Sequence, residues 1–166
     1  MGLIGAAVLL LASCGDSTEP EPLVDRITMP TDIQVNAGDH FTIPIYLENA
    51  APVAAVAVPL QYANSVMRCD SVSFIDSRCS TFLFQRYFTR ADTIYIGLID
   101  TIGLAAGKGL MATLHFWAFG NAPDTDVVID LFETPVLDFG YADTSLVFGV
   151  ITPQFQPGRV RIKTQL

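Results

Sequence analysis

The stretch GLMATLHFWAF, residues 109 to 119, decides how this chain folds, because it alternates in and out with period two and shows no 3.6-residue apolar period. Side chains of a strand point to opposite faces in turn. Placing Leu110, Ala112, Leu114, Phe116 and Ala118 inward therefore leaves Met111, Thr113, His115, Trp117 and Phe119 on the other face. A stripe holding His, Trp and Phe is either a contact surface or lies under a neighbouring loop or terminus.

Outward from this run the chain repeats the pattern. Strand-like runs occupy residues 40 to 48 (HFTIPIYLE), 53 to 62 (VAAVAVPLQY), 66 to 75 (VMRCDSVSFI) and 93 to 99 (TIYIGLI), with shorter ones at 127 to 132, 145 to 150 and 159 to 163. Turn residues separate them: Ala37-Gly38-Asp39, Ala63-Asn64-Ser65 and Gly107-Lys108-Gly109. Short strands at this spacing predict a sandwich or barrel. Pro44 and Pro59 fall inside runs, and proline cannot donate to a ladder, so each is expected at an edge, a bulge or a non-donating position.

The chain has 166 residues, 51% hydrophobic and 16% charged, enough apolar surface for one folded core and no room for a second domain. Its formal charge of −8 and its nine scattered Lys and Arg residues argue against nucleic acid, whose phosphates call for clustered cations. The acidity reads as solvation rather than as a ligand site.

The first thirteen residues, MGLIGAAVLLLAS, are uncharged and too short to span a bilayer as a helix, which takes about 20 apolar residues. A signal-peptide apolar region fits them better. Leu11-Ala12-Ser13-Cys14 resembles the bacterial lipobox, which would make Cys14 the lipid-accepting N-terminus of the mature protein. No Lys or Arg precedes the run, a departure from the usual pattern. Each buried CH₂ is worth about 0.8 kcal/mol, so several acyl chains on one residue suffice to hold a domain at a membrane. The expected organisation is signal peptide 1–13, lipid-anchored acidic linker 14–31 and one domain 32–166. Gly15 after the cysteine would direct a Gram-negative lipoprotein to the outer membrane.

Removing Cys14 leaves Cys69 and Cys79, an even pair in a chain assigned to an oxidising compartment, and a disulfide is expected between them. Zinc ligation is the competing reading, but His40 and His115 stand alone and cannot complete a tetrahedral site.

Several of these segments resemble cohesin-type modules, β-sandwiches related to one superfamily of carbohydrate-binding modules. The opening Ile33-Gln34-Val35-Asn36-Ala37-Gly38-Asp39, then Val58-Pro59-Leu60-Gln61-Tyr62, then Gly107-Lys108-Gly109-Leu110-Met111-Ala112-Thr113-Leu114-His115-Phe116 carry the likeness across most of residues 33 to 119. Ala63 stands where the family has Asp. The resemblance implies an all-β, jelly-roll-like sandwich of about nine antiparallel strands that binds a dockerin-like partner through one exposed sheet face. It further implies that residues 53 to 62, 93 to 99 and 109 to 119 share that sheet, so that Ala57, Pro59, Gln61, His115 and Trp117 form the candidate binding face.

No Gly-x-Ser-x-Gly elbow and no nucleophile, base and orienter set is visible, so no enzyme is expected. Residues 103 to 109 superficially resemble a phosphate loop, but the spacing is one residue short, and a turn is the better reading. Acid pairs such as Asp124 with Asp126 are expected to be solvated, and no cofactor or metal follows. The expected function is a membrane-anchored module of the cell envelope that docks a partner protein, with polysaccharide binding as the alternative.

Overall fold

Residues 21–132, 140–143 and 150–164 are described by a computed structural model, and among them every regular element is a strand. One sheet has the order β12-β1-β3-β8-β5: β12 (Gln154–Gln156), β1 (Arg26–Thr28), β3 (His40–Asn49), β8 (Gly107–Ala118) and β5 (Met67–Ser73). The other is built on β4 (Val53–Gln61). One flank of β4 pairs with β7 (Thr93–Leu104), which carries β6 (Phe84–Arg90) at the edge. Its other flank pairs first with β10 (Gly140–Asp143), itself joined to β11 (Val150–Ile151), and then with β9 (Thr125–Leu131). From β9 the sheet continues through β13 (Gly158–Lys163) to β2 (Ile33–Asn36).

The expected all-β sandwich is therefore what forms, with two corrections. Thirteen strands are present among the described residues rather than about nine. They are mixed rather than all antiparallel, because β1 with β12 and β13 with β2 run parallel.

The core lies between the sheets and is supplied by alternate residues: Ile43, Ile45 and Leu47 of β3, Val56, Val58 and Leu60 of β4, Ile94, Ile96 and Leu98 of β7, and Leu114 and Phe116 of β8. Each such side chain stabilises the fold by about 1.5–3 kcal/mol relative to exposure. The alternation read from residues 109 to 119 holds from Ala112 onward and inverts before it. The register with β3 shifts between Ile45 and Tyr46, so Ile45 faces Ala112 while Tyr46 faces Leu110, and Met111 is the extra residue. This β-bulge turns Met111 fully inward and Leu110 outward, opposite to the sequence expectation.

Both prolines sit where no ladder donor is needed. Along β3, β1 reaches only Tyr46 to Glu48, so Pro44 has a single neighbouring strand. Pro59 lies in the gap between the stretch of β4 that meets β10 and the stretch that meets β9, and its carbonyl accepts the Phe132 amide at 3.0 Å.

The N-terminal side of the domain reaches further back than residue 32. Ile27 and Met29 are buried core residues, and Glu48 grips this strand by accepting the Val24 amide at 3.1 Å and pairing with the Arg26 guanidinium at 2.7 Å. Residues 26 to 29, read from sequence as linker, are thus built into the first sheet. Cys14 and the segment 1–20 lie outside the described residues.

The expected disulfide is not formed: Cys69 and Cys79 are separate, buried thiols. Cys69 points inward from β5, with its Sγ 3.6 Å from the Ser71 carbonyl, while Cys79 belongs to the turns beyond the end of that strand, its amide donating to Ser77 Oγ at 3.2 Å. Each is an apolar core contact in its own right. Burial pushes both thiols up to about 12, so neither carries thiolate at neutral pH.

Candidate functional site

The five residues of the candidate binding face do not share a surface. Ala57, Pro59 and Gln61 belong to β4 in one sheet, and His115 and Trp117 belong to β8 in the other. Outward faces of two packed sheets point away from each other, so the expected single face divides in two. The error lies in grouping β8 with β4 and β7: β8 pairs instead with β3 and β5.

On the β8 side, cross-strand register sets His40 and Arg68 on either side of Trp117, and Thr42 and Ser71 on either side of His115. The Trp117 ring is consequently occupied by its neighbours. His40 stacks beside it at 6.1 Å, the Arg68 guanidinium lies 5.3 Å from its centroid, Phe119 meets it edge-on at 5.2 Å, and its N–H donates to the Gly38 carbonyl at 3.3 Å. Asp70 fixes Arg68 at 2.8 Å and stands 3.6 Å from His40. The stripe is half-buried, and among the described residues Trp117 is flanked by His40 and Arg68 of its own sheet and by Gly38 and Phe119 just outside the strands.

The β4 side is different in kind. Inward-facing Val56, Val58 and Leu60 commit Ala55, Ala57, Pro59 and Gln61 to the outer face. Register carries that face across the sheet: Ala57 is level with Gly140 and Gly97, Pro59 with Tyr95, and Ala55 with Ala142 and Ile99. On β6, Phe84, Arg86 and Phe88 follow beside Ile99, Gly97 and Tyr95. Small residues thus form a floor in the middle of the sheet, and rings rise beside it.

The geometry of those rings follows from Gly97. A Cβ there would come within 3.2 Å of Tyr95 Cε1, so the glycine lets the Tyr95 ring lie over the strand. Phe88 stacks on Tyr95 at 4.9 Å, and the Arg86 guanidinium sits 5.1 Å from the Phe84 ring. Tyr95, Phe84 and Arg86, together with Ala55, Ala57, Ile99 and Gly140, line an open cavity of about 350 Å³ whose walls are almost wholly apolar. Phe84, Phe88 and Ile99 remain 49%, 52% and 55% exposed. Open apolar surfaces of this kind are candidates for a binding site.

Of the residues that sequence reading names on β4, Ala57 lies in the cavity wall while Pro59 is buried and Gln61 lies outside the lining; Phe84, Arg86, Tyr95, Gly97 and Ile99 are not among those it names. The signal was available in the Tyr95, Gly97, Ile99 series of TIYIGLI, whereas residues 84 to 90, FQRYFTR, mix rings and arginines on one face and show no period-two alternation. Among the described residues no group of three or more His, Cys, Asp or Glu side chains is placed to hold a metal ion.

No protein-family model matches the chain, and no curated protein is similar to it in sequence. Solved structures are similar in fold. A non-cellulosomal cohesin from the archaeon Archaeoglobus fulgidus superposes with a TM-score of 0.68 at 19% identity, over 84% of this chain and 91% of that one. A type I cohesin–dockerin complex from Clostridium thermocellum gives 0.70 at 16% identity, over 86% and 95%. A type III cohesin module from a cell-surface anchoring scaffoldin of Ruminococcus flavefaciens gives 0.65 at 11% identity, over 86% and 89%. Two mixed sheets, the strand connections between them and these superpositions together establish that this chain folds as a cohesin-type β-sandwich.

Proposed function

We propose that this chain is an extracytoplasmic protein-docking module that receives its partner on the outer face of β10, β4, β7 and β6. The observation that carries the reading is the apolar floor and ring wall on that face, with a cavity of about 350 Å³, in a fold whose solved examples include cohesins bound to dockerins. The shape suits a segment that inserts one or two apolar side chains between Tyr95, Phe84 and the alanine floor. The sequence before the domain supports the further reading that Cys14 is acylated and residues 15–23 tether the domain to a membrane of the cell envelope.

The test compares the two faces. Wild type, Ala57→Arg on the β4 face and Thr113→Arg on the β8 face are used to capture partners from envelope extract, with quantitative mass spectrometry of what is retained. A protein retained by wild type and Thr113→Arg but lost with Ala57→Arg is the expected result. Equal retention by all three, or loss only with Thr113→Arg, overturns the assignment of the face.

The stacked Phe88 and Tyr95 rings favour a second reading, polysaccharide binding, since exposed rings can stack on sugars. Retardation in polysaccharide gels that is removed by Tyr95→Ala would support it, and unretarded migration on a broad panel would remove it.

A further inference from the structure

The edge of the second sheet carries a surface distinct from its face. β6 pairs with β7 along its whole length and with no other strand, so one flank of its backbone is open among the described residues. Proteins commonly protect such an edge by shortness, proline, a bulge or an inward-pointing charge. β6 has none of these, and its two charges, Arg86 and Arg90, both lie on the outer side. It is seven residues long, contains no proline, keeps unbroken register with β7, and turns the uncharged Gln85, Tyr87 and Thr89 to the side opposite the charged one.

We propose that the β6 edge joins a second copy of this chain, β6 to β6 and antiparallel about a twofold axis at Tyr87, to make one continuous sheet of two molecules. The sequence itself specifies this occupant. In FQRYFTR the antiparallel register centred on Tyr87 is the one that overlaps all seven residues, and it sets each Phe opposite an Arg of the other copy. Arg86 faces Phe88, Arg90 faces Phe84, Gln85 faces Thr89, and no Arg faces an Arg. Moving the axis to Arg86 or Phe88 shortens the overlap and places Arg86 opposite Arg86 or Arg90, where like charges repel. The pairing thus combines main-chain ladder bonds with four cation and ring contacts of the type Arg86 already makes with Phe84 inside one copy. An isologous contact of this kind closes on itself as a dimer and leaves both docking faces on the same side.

The proposal is tested on the full chain by sedimentation equilibrium over a concentration series. Wild type is expected to dimerise with a dissociation constant below about 1 mM, and Tyr87→Lys, which sets two ammonium groups against each other on the axis, to weaken it at least tenfold. Phe88→Glu places a carboxylate opposite Arg86 of the other copy and is expected to keep the dimer at low salt and lose it as salt rises. Under mild oxidation Tyr87→Cys should cross-link to itself, whereas Gln85→Cys, which faces Thr89, should stay at the background set by the native cysteines. A monomer at all concentrations, a dimer unchanged by Tyr87→Lys, or equal cross-linking at 85 and 87 would each overturn the proposal. None of these outcomes depends on whether a partner binds the sheet face.

Discussion

The Tyr62 hydroxyl donates to the Ala91 carbonyl at 2.9 Å and, from the other side, accepts the buried amide of Cys69 at 3.2 Å. One side chain just past the end of β4 thereby fixes both the turn between β6 and β7 in its own sheet and a strand of the opposite sheet, while its ring meets Phe116 edge-on at 5.2 Å. The Tyr62 amide adds a third tie, donating to Asp92 at 2.9 Å. Replacing Tyr62 by Phe keeps the ring and strands the Cys69 N–H without an acceptor. A loss of about 1–3 kcal/mol is expected in urea unfolding with unchanged m-value, and a loss below a few tenths would show that this hydroxyl does not bind the two sheets together.

The turn that Tyr62 holds is itself strained. Ala91 adopts φ 50°, a left-handed conformation that costs a residue with a Cβ about 1–2 kcal/mol and costs glycine little. Ala91→Gly is therefore expected to raise stability by several tenths to about 1 kcal/mol, the gain being reduced by the greater freedom of glycine in the unfolded chain. A fall in the thermal midpoint would contradict the strain.

The glycines that open β8 make room for a half-buried cation. Arg78 donates to the Ala105 carbonyl at 2.7 Å, Gly107 carbonyl at 2.8 Å, Asn49 Oδ1 at 2.9 Å and Leu47 carbonyl at 3.3 Å, closing one end of the sandwich. A Cβ on Gly109 would stand 2.8 Å from Arg78 Cδ, and the four bonds prevent the side chain from moving aside. Gly109→Ala should cost about 1–3 kcal/mol, and most of that cost should vanish in an Arg78→Ala background. Additive losses in the double-mutant cycle would mean that the glycine answers to something else.

How far the sequence revealed this molecule depended on the distance over which each choice is made. Alternation is local, so Leu114 and Phe116 inward, Thr113 and His115 outward, could be read directly. The bulge at Met111 could not, because Leu110 and Met111 are both apolar and either suits the core. Which sheet a strand enters is decided by pairing between distant segments: β8 lies against β3 because Ile43 and Ile45 meet Leu114 and Ala112, and no local pattern distinguishes that from a place beside β4. Hence sequence reading groups Ala57 and Trp117 on one face although they lie on opposite ones. The β6 ring wall went unread for a related reason, since arginines at alternate positions lower its apolar signal and its turn has no Asn-Gly or Asp-Gly to announce a hairpin.

The two buried thiols give the fold an alkaline limit. Desolvation raises both Cys69 and Cys79 from 9.0 to about 12, and an acid whose folded value is raised contributes stability that is complete below its unfolded value and is lost as pH rises through the folded one. The unfolded chain releases each thiol proton near pH 9 while the folded chain holds it. Stability should therefore fall between pH 9 and 12 by up to about 1.4 kcal/mol per pH unit for each thiol. Tyr62, also raised by burial, adds to the decline above pH 10. Replacing both cysteines by Ala removes the thiol contribution, so the double variant should lose stability with pH less steeply than wild type, even though the cavities it creates make it less stable at neutral pH. In the native protein neither thiol should react with a thiol reagent until the chain unfolds. A slope identical in wild type and double variant, or rapid native labelling of Cys79, would mean that these side chains reach water and do not belong to the core.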